Sequence, residues 1–147
     1  MTLLDLKPST IDVDFTGPLS DIEAFREVVS VLRPGFRVDT WPDGQVFSQF
    51  LPPDYLEKSI EIKAPLKLVK LSALNPLDIV ATKIGRLDGR DEQDIGACVE
   101  KYKLTKKAIR QRAKQIGYAG NEAVYEDNLN SVLKRLSSKG YASTVMR

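Results

Sequence analysis

The 147-residue chain contains no histidine and one cysteine, Cys98. Without histidine there is no Ser-His-Asp or Cys-His nucleophile system, no imidazole general base and no imidazole metal ligand. A single cysteine excludes an internal disulfide and a thiolate-rich zinc site. Long apolar runs are missing too. No stretch approaches the roughly 20 residues of a spanning helix, and MTLLDLKPST lacks the basic start and apolar centre of a secretory leader. The expectation is a chain in a reducing cytoplasm with no membrane partner. Its chemistry must rest on carboxylates, lysine, arginine and hydroxyls, and the metal suited to that inventory is a hard cation such as Mg²⁺.

What is present describes an ordinary folded chain. Apolar residues make up 42 % and charged residues 29 %, far from a disordered composition, and the length suits one domain with a small helical annex. The net charge of +2 is unevenly spread. Residues 1–60 carry five basic and ten acidic side chains, a balance of −5, while residues 61–147 carry 17 basic and ten acidic, a balance of +7. An acidic first part therefore precedes a basic second part.

Ile11, Val13 and Phe15 alternate with Thr10, Asp12 and Asp14, the period of a half-buried strand. After Gly17-Pro18, Ser20 and Glu23 have the spacing of a capping box, and Ile22, Phe25, Val29 and Leu32 recur at helical spacing up to Arg33. Residues 36–40 and 45–50 flank Pro42-Asp43-Gly44 and predict a hairpin; Trp41 beside that turn either stacks on a base or packs the hairpin, and packing is the favoured reading. Residues 58–63 alternate again, and 66–71 read as a last strand. From Asn75-Pro76 the pattern turns helical, with Leu77, Val80 and Ile84 inward. Asp88 caps a second helix with Ile95, Cys98, Val99 and Tyr102 inward, which makes Cys98 a core residue rather than a nucleophile. Thr105 caps a third, and a fourth runs from about Asn121 to Leu136. The fold class expected is α+β: a mixed β-sheet flanked by helices over 1–73, a helical segment over 74–138, and a flexible tail over 139–147.

Asp12 and Asp14 are the most informative pair. In a strand, residues two apart share a face with Cα atoms roughly 6.6 Å apart, so their carboxylates can converge on a hard cation. A polar face that simply meets solvent has the same pattern. Glu61, between Ile60 and Ile62, would add a third carboxylate if its strand lay beside the first, and three acids in one cleft suit phosphoryl or nucleotidyl transfer. A lysine partner across the sheet is the other reading of Glu61. Lys83 and Arg86 share a helical face and can direct cations at a triphosphate. Arg90, Asp91 and Asp94 sit in a helix's first turns, where acids are favourable without any substrate.

Taken together, Lys7-Pro8-Ser9-Thr10-Ile11-Asp12-Val13-Asp14-Phe15, then Pro76-Leu77-Asp78-Ile79 with Lys83, then Arg90-Asp91 with Asp94-Ile95 resemble the minimal nucleotidyltransferases of the DNA polymerase beta-like superfamily, in particular the abortive-infection toxin type. The resemblance covers roughly residues 5–100. It implies a nucleotidyltransferase-like sheet, Mg²⁺ on Asp12 and Asp14 with Glu61 as the third acid, and a nucleotide-phosphate role for Lys83; Ser9 in the first motif and Arg86 beside Lys83 are further candidates for nucleotide binding. It implies transfer of a nucleoside monophosphate from a nucleoside triphosphate to a hydroxyl on RNA, such as tRNA, or on protein. An antitoxin partner would follow from the toxin type. That family places a Gly-Ser or Gly-Gly phosphate cradle before the first acid, whereas Met1–Ile11 holds no glycine. Either the cradle lies upstream or the chain is a non-catalytic binding member of the fold.

A nucleic-acid-binding module is the remaining class. Lys103, Lys106, Lys107, Arg110, Arg112 and Lys114 fall within twelve residues, with no acid between Glu100 and Glu122. A solvated helix face backed by Ile109, Ala113 and Ile116 would read the same way.

Overall fold

Asn75 and Pro76 begin the main helical part of the molecule. In the computed structural model, which describes residues 1–6, 10, 12–120 and 122–137, the Asn75 side chain accepts a hydrogen bond from the Leu77 N–H at 2.9 Å. Proline takes the first helical position, where no backbone donor is needed. Helix α3 then runs over Pro76–Arg86 and ends on Leu87 in the left-handed region. Asp88 accepts from the N–H groups of Arg90 and Asp91, and the Asp91 side chain accepts in return from the Asp88 N–H, a complete capping box for α4 (Gly89–Tyr102). Thr105 caps α5 (Lys106–Ala113) through the Ala108 N–H at 3.2 Å, and α6 spans Glu122–Ser137. The expected start at Asn121 and the tail over 139–147 lie outside the described residues.

The four helices enclose the main core. Val80 and Ile84 of α3, Ile95 and Cys98 of α4, Ile109 of α5, and Leu129 and Val132 of α6 are all buried. Each fully buried aliphatic side chain contributes about 1.5–3 kcal/mol relative to exposure. Burial pushes the Cys98 thiol up to about 11, so it stays protonated at neutral pH. Tyr125 donates its hydroxyl to the Ala81 carbonyl at 2.8 Å, and Asn128 donates to the Ile84 carbonyl at 2.9 Å, fixing α6 on α3.

Among the described residues the β structure is three small sheets rather than one mixed sheet. Strand β1 (Asp12–Gly17) pairs in parallel with β2 (Arg37–Pro42), and α1 (Leu19–Leu32) is the crossover between them. Phe15 meets Phe25 of α1 with ring centroids 4.6 Å apart, so Val13 and Phe15 face the helix and Asp12 and Asp14 face away. The short strands β3 (Gln45–Val46) and β4 (Gln49–Phe50) form a hairpin, and β4 also pairs with β7 (Gly117–Tyr118). After α2 (Tyr55–Lys58), β5 (Ile60–Glu61) pairs with β6 (Ser72–Ala73).

Several expectations are corrected here. Ser20 lies inside α1 rather than at its cap, and the Leu19 N–H instead donates to the Asp43 carboxylate at 3.0 Å. Residues 36–40 and 45–50 do not pair with each other. Asp43 (φ 50°) and Gly44 (φ 78°) redirect the chain from one sheet to the next, and the Asp43 N–H donates to the Gly17 carbonyl at 2.7 Å. At Gly44 a Cβ would lie 2.8 Å from the Tyr55 ring, so both conformation and space require glycine. Residues 66–71 do not form a strand, and Leu68 is 98 % exposed. Their apolar content fits a strand, but no described strand pairs with them, and a strand without a partner ladder has little stability of its own.

Candidate functional site

The parallel register decides which groups share the face opposite α1. Asp12 lies beside Arg37, Asp14 beside Asp39, and Thr16 beside Trp41. Three carboxylates and a guanidinium thus stand on two adjacent strands. Arg37 holds Asp39 through Nε at 2.7 Å and through Nη2. That hydrogen-bonded pairing raises the guanidinium pKa, with Asp12 and Asp14 adding to it. The Trp41 indole N–H donates to Asp14 Oδ1 at 3.3 Å, and the Thr10 hydroxyl donates to Asp12 Oδ1 at 3.0 Å.

From Asp14 a series of contacts crosses to the helical part. The Trp41 ring lies against Phe47, centroids 5.0 Å apart, and the Arg86 guanidinium sits 5.2 Å from the Phe47 centroid. Arg86 grips Asp91 with Nε to Oδ2 at 2.7 Å and Nη2 to Oδ1 at 2.9 Å. Lys83 reaches Asp91 at 3.0 Å and Asp94 at 2.7 Å. Burial alone would raise the Asp91 carboxyl, but hydrogen bonds from Arg86 and Lys83 outweigh it and hold it below the usual carboxylate range. Burial alone would lower the Lys83 ammonium, and its bonds to Asp94 and Asp91 raise it instead. For Arg86 the Asp91 hydrogen bond is the largest influence upward, and Asp14 adds a weaker one.

The structure therefore connects Asp14 to Arg86 through Trp41 and Phe47, with Asp12 on the same face of β1, and leaves other expected residues apart. Glu61 is exposed on β5, whose partner is β6 rather than β1, and it pairs with Lys70 at 3.4 Å. Lys83 points into the acids of α4 and is 19 % exposed, so its charge is matched within the fold. Arg86, 53 % exposed, remains accessible. Arg90 is exposed, whereas Asp91 and Asp94 are buried and support Lys83. Ser9 lies outside the described residues. Lys103, Lys106, Lys107, Arg110 and Lys114 are all exposed.

Arg112 is a correction to the basic cluster. It is buried, with Nε to Asp78 Oδ1 at 2.5 Å, Nη2 to Asp78 Oδ2 at 3.0 Å and Nη1 to Asp54 Oδ1 at 2.7 Å. It fastens α5 to α3 and cannot contact a phosphate. Sequence reading also passed over Arg37, Asp39 and Phe47, and gave Trp41 a hairpin that does not form. The alternation of Arg37, Asp39 and Trp41 with Val38 and Thr40 was the available signal. What it lacked was the parallel partner that puts these side chains beside Asp12 and Asp14.

Asp12 and Asp14 fit a Mg²⁺ ion in donor chemistry, because this ion is usually held by one or two carboxylates together with water and substrate phosphates. They do not belong to a protein-only cage: among the described residues no group of three or more Asp, Glu or Cys side chains is arranged to hold a metal. No helix among them is long and apolar enough to cross a membrane. Compared with models of protein families, with curated proteins and with solved structures, the chain finds no match.

Proposed function

We propose that this chain is a Mg²⁺-dependent nucleotidyltransferase that moves a nucleoside monophosphate from a nucleoside triphosphate to a hydroxyl, with a sheet of the nucleotidyltransferase type as its catalytic part. The supporting observation is the convergence of the Asp12–Asp14 strand with Arg86 through Trp41 and Phe47. These motifs are more than 70 residues apart in the chain. Acidic oxygen donors and an accessible guanidinium on one surface are what a metal–triphosphate substrate needs.

Asp12 and Asp14 would hold the cation with the substrate's phosphate oxygens. When bound, Mg²⁺ neutralises phosphate charge and draws density from phosphorus. Arg86 contributes a second positive group, oriented by its bidentate pairing with Asp91. In the reaction the acceptor oxygen bonds to the α-phosphorus, the bond to the bridging oxygen breaks, and pyrophosphate leaves. The acceptor proton passes to a neighbouring carboxylate. Trp41 orients Asp14 through the indole N–H.

The test is transfer of label from α-³²P nucleoside triphosphates to RNA and to total protein. Asp12→Asn with Asp14→Asn should lower incorporation by at least about a hundredfold, since both charges that face the cation are removed. Equal labelling by the variant and the parent would sink the enzymatic reading. A second reading, polyanion binding through α5, is favoured by the five exposed cations of that region. It is compatible with an RNA acceptor and can hold without catalysis.

A further inference from the structure

Phe47 is an unusual residue for its place. It has φ 56°, a left-handed conformation that asparagine or glycine adopts readily and a bulky aromatic does not. The residue is 39 % exposed and belongs to neither hydrophobic core cluster of the described residues. A small polar residue would fit the backbone of this hairpin turn with less strain. The strain instead holds an aromatic face at the surface, between Trp41 on one side and Arg86 on the other. Trp41 is likewise only partly buried, and its indole N–H is the link to Asp14.

We infer that the base of the donor nucleotide stacks against the Trp41–Phe47 pair, whose rings are inclined at 55°, with the Arg86 guanidinium over the Phe47 ring and open to the phosphates. This rests on the nucleotidyl-transfer reading and adds to it the site that recognises the base. Three kinds of chemistry lie in sequence along this surface. Carboxylate oxygens suit a cation, a guanidinium suits phosphate, and two π faces suit a planar heterocycle. A nucleotide presents the same three. Stacking tolerates every base because each has a π face. The platform therefore supplies affinity for nucleotides as a class.

Trp41 is the only tryptophan, so its fluorescence reports on the platform directly. ATP should quench it, while inorganic tripolyphosphate, which has charge but no base, should not. Phe47→Gly removes the ring and relieves the backbone, so folding is not put at risk. It should weaken ATP binding roughly tenfold, leave tripolyphosphate binding unchanged, and raise KM more than it lowers kcat. Phe47→Tyr keeps a stacking face and should restore ATP affinity. Quenching by tripolyphosphate equal to that by ATP, or ATP affinity unaltered in Phe47→Gly, would overturn the platform. Base-dependent quenching in a protein that transfers no label would leave the platform standing and remove the transferase. Label transfer with an unchanged KM in Phe47→Gly would do the reverse.

Discussion

Gly85 shows how one missing Cβ can set the join between a helix and a sheet. It lies in α3 between Ile84, which is fully buried, and Arg86. A Cβ added there would stand 2.5 Å from Gln49 Cδ and closer still to its amide nitrogen. Gln49 is buried in β4, with its side-chain oxygen unpartnered among the described residues, so it has little room to withdraw. Alanine would gain about 1 kcal/mol of helix propensity, but collision with a buried side chain costs about 1–3 kcal/mol. Gly85→Ala should therefore destabilise modestly in urea unfolding. Adding Gln49→Ala should reverse the sign, because the clash and the unpartnered oxygen vanish together and the propensity gain remains. A purely additive double variant would refute this coupling. Nothing in the sequence singles out Gly85, since its partner is 36 positions away. Arg112 differs in this respect. It shares the Ile109, Ala113 and Ile116 face, so helical periodicity already pointed it inward while its charge pointed it outward. Asp78 and Asp54 resolve that conflict, and only tertiary contact reveals them.

At the scale of elements, helices were far more legible than strands. Asn75-Pro76, Asp88 and Thr105 announce their helices because a cap is local chemistry, complete within four residues. A strand needs a partner, so its alternation states which face is polar without saying which strand lies beside it. That is why the polar face of β1 was readable, while Asp39 as the neighbour of Asp14 was not. The junction of α3 and α4 carries a prediction of its own. Asp91 closes the capping box and receives Lys83 and Arg86, so Asp91→Asn should cost about 2 kcal/mol at pH 7. Lys83 keeps Asp94, and Arg86 can turn to solvent, which limits the loss. The pH dependence has a definite sign. A carboxyl whose folded pKa lies below its unfolded value stabilises above the unfolded value, and loses that contribution as pH falls through the folded one. The stability gap between parent and Asp91→Asn should thus be constant above about pH 5 and shrink from about pH 4 downward. A gap unchanged at low pH, measured by urea midpoints, would show that the charge of Asp91 contributes nothing.

Across the whole molecule, charge is divided in a way that bears on the acceptor. The acidic part holds Asp12, Asp14 and Asp39 on one sheet face, and the basic part exposes Lys103, Lys106, Lys107, Arg110 and Lys114 around α5. A polyanion would be drawn to the second and repelled by the first, except where a bound cation and Arg86 offset the carboxylates. For single-stranded RNA, each phosphate contact contributes about −0.7 to the slope of log K against log salt. If the exposed cations all engage, the expected slope is roughly −3 to −4. Lys107→Ala with Arg110→Ala should make it shallower by about 1.4 without changing the unfolding midpoint, because both side chains are exposed. Arg112→Ala should behave oppositely: the unfolding midpoint falls, since a buried ion network loses its centre, while the slope in the remaining folded protein is preserved. A slope that stays near zero from low to physiological salt would exclude a phosphate-contacting surface at α5. A slope reduced by Arg112→Ala at constant folded fraction would mean that RNA can draw this residue away from Asp78 and Asp54, against the geometry that now holds it.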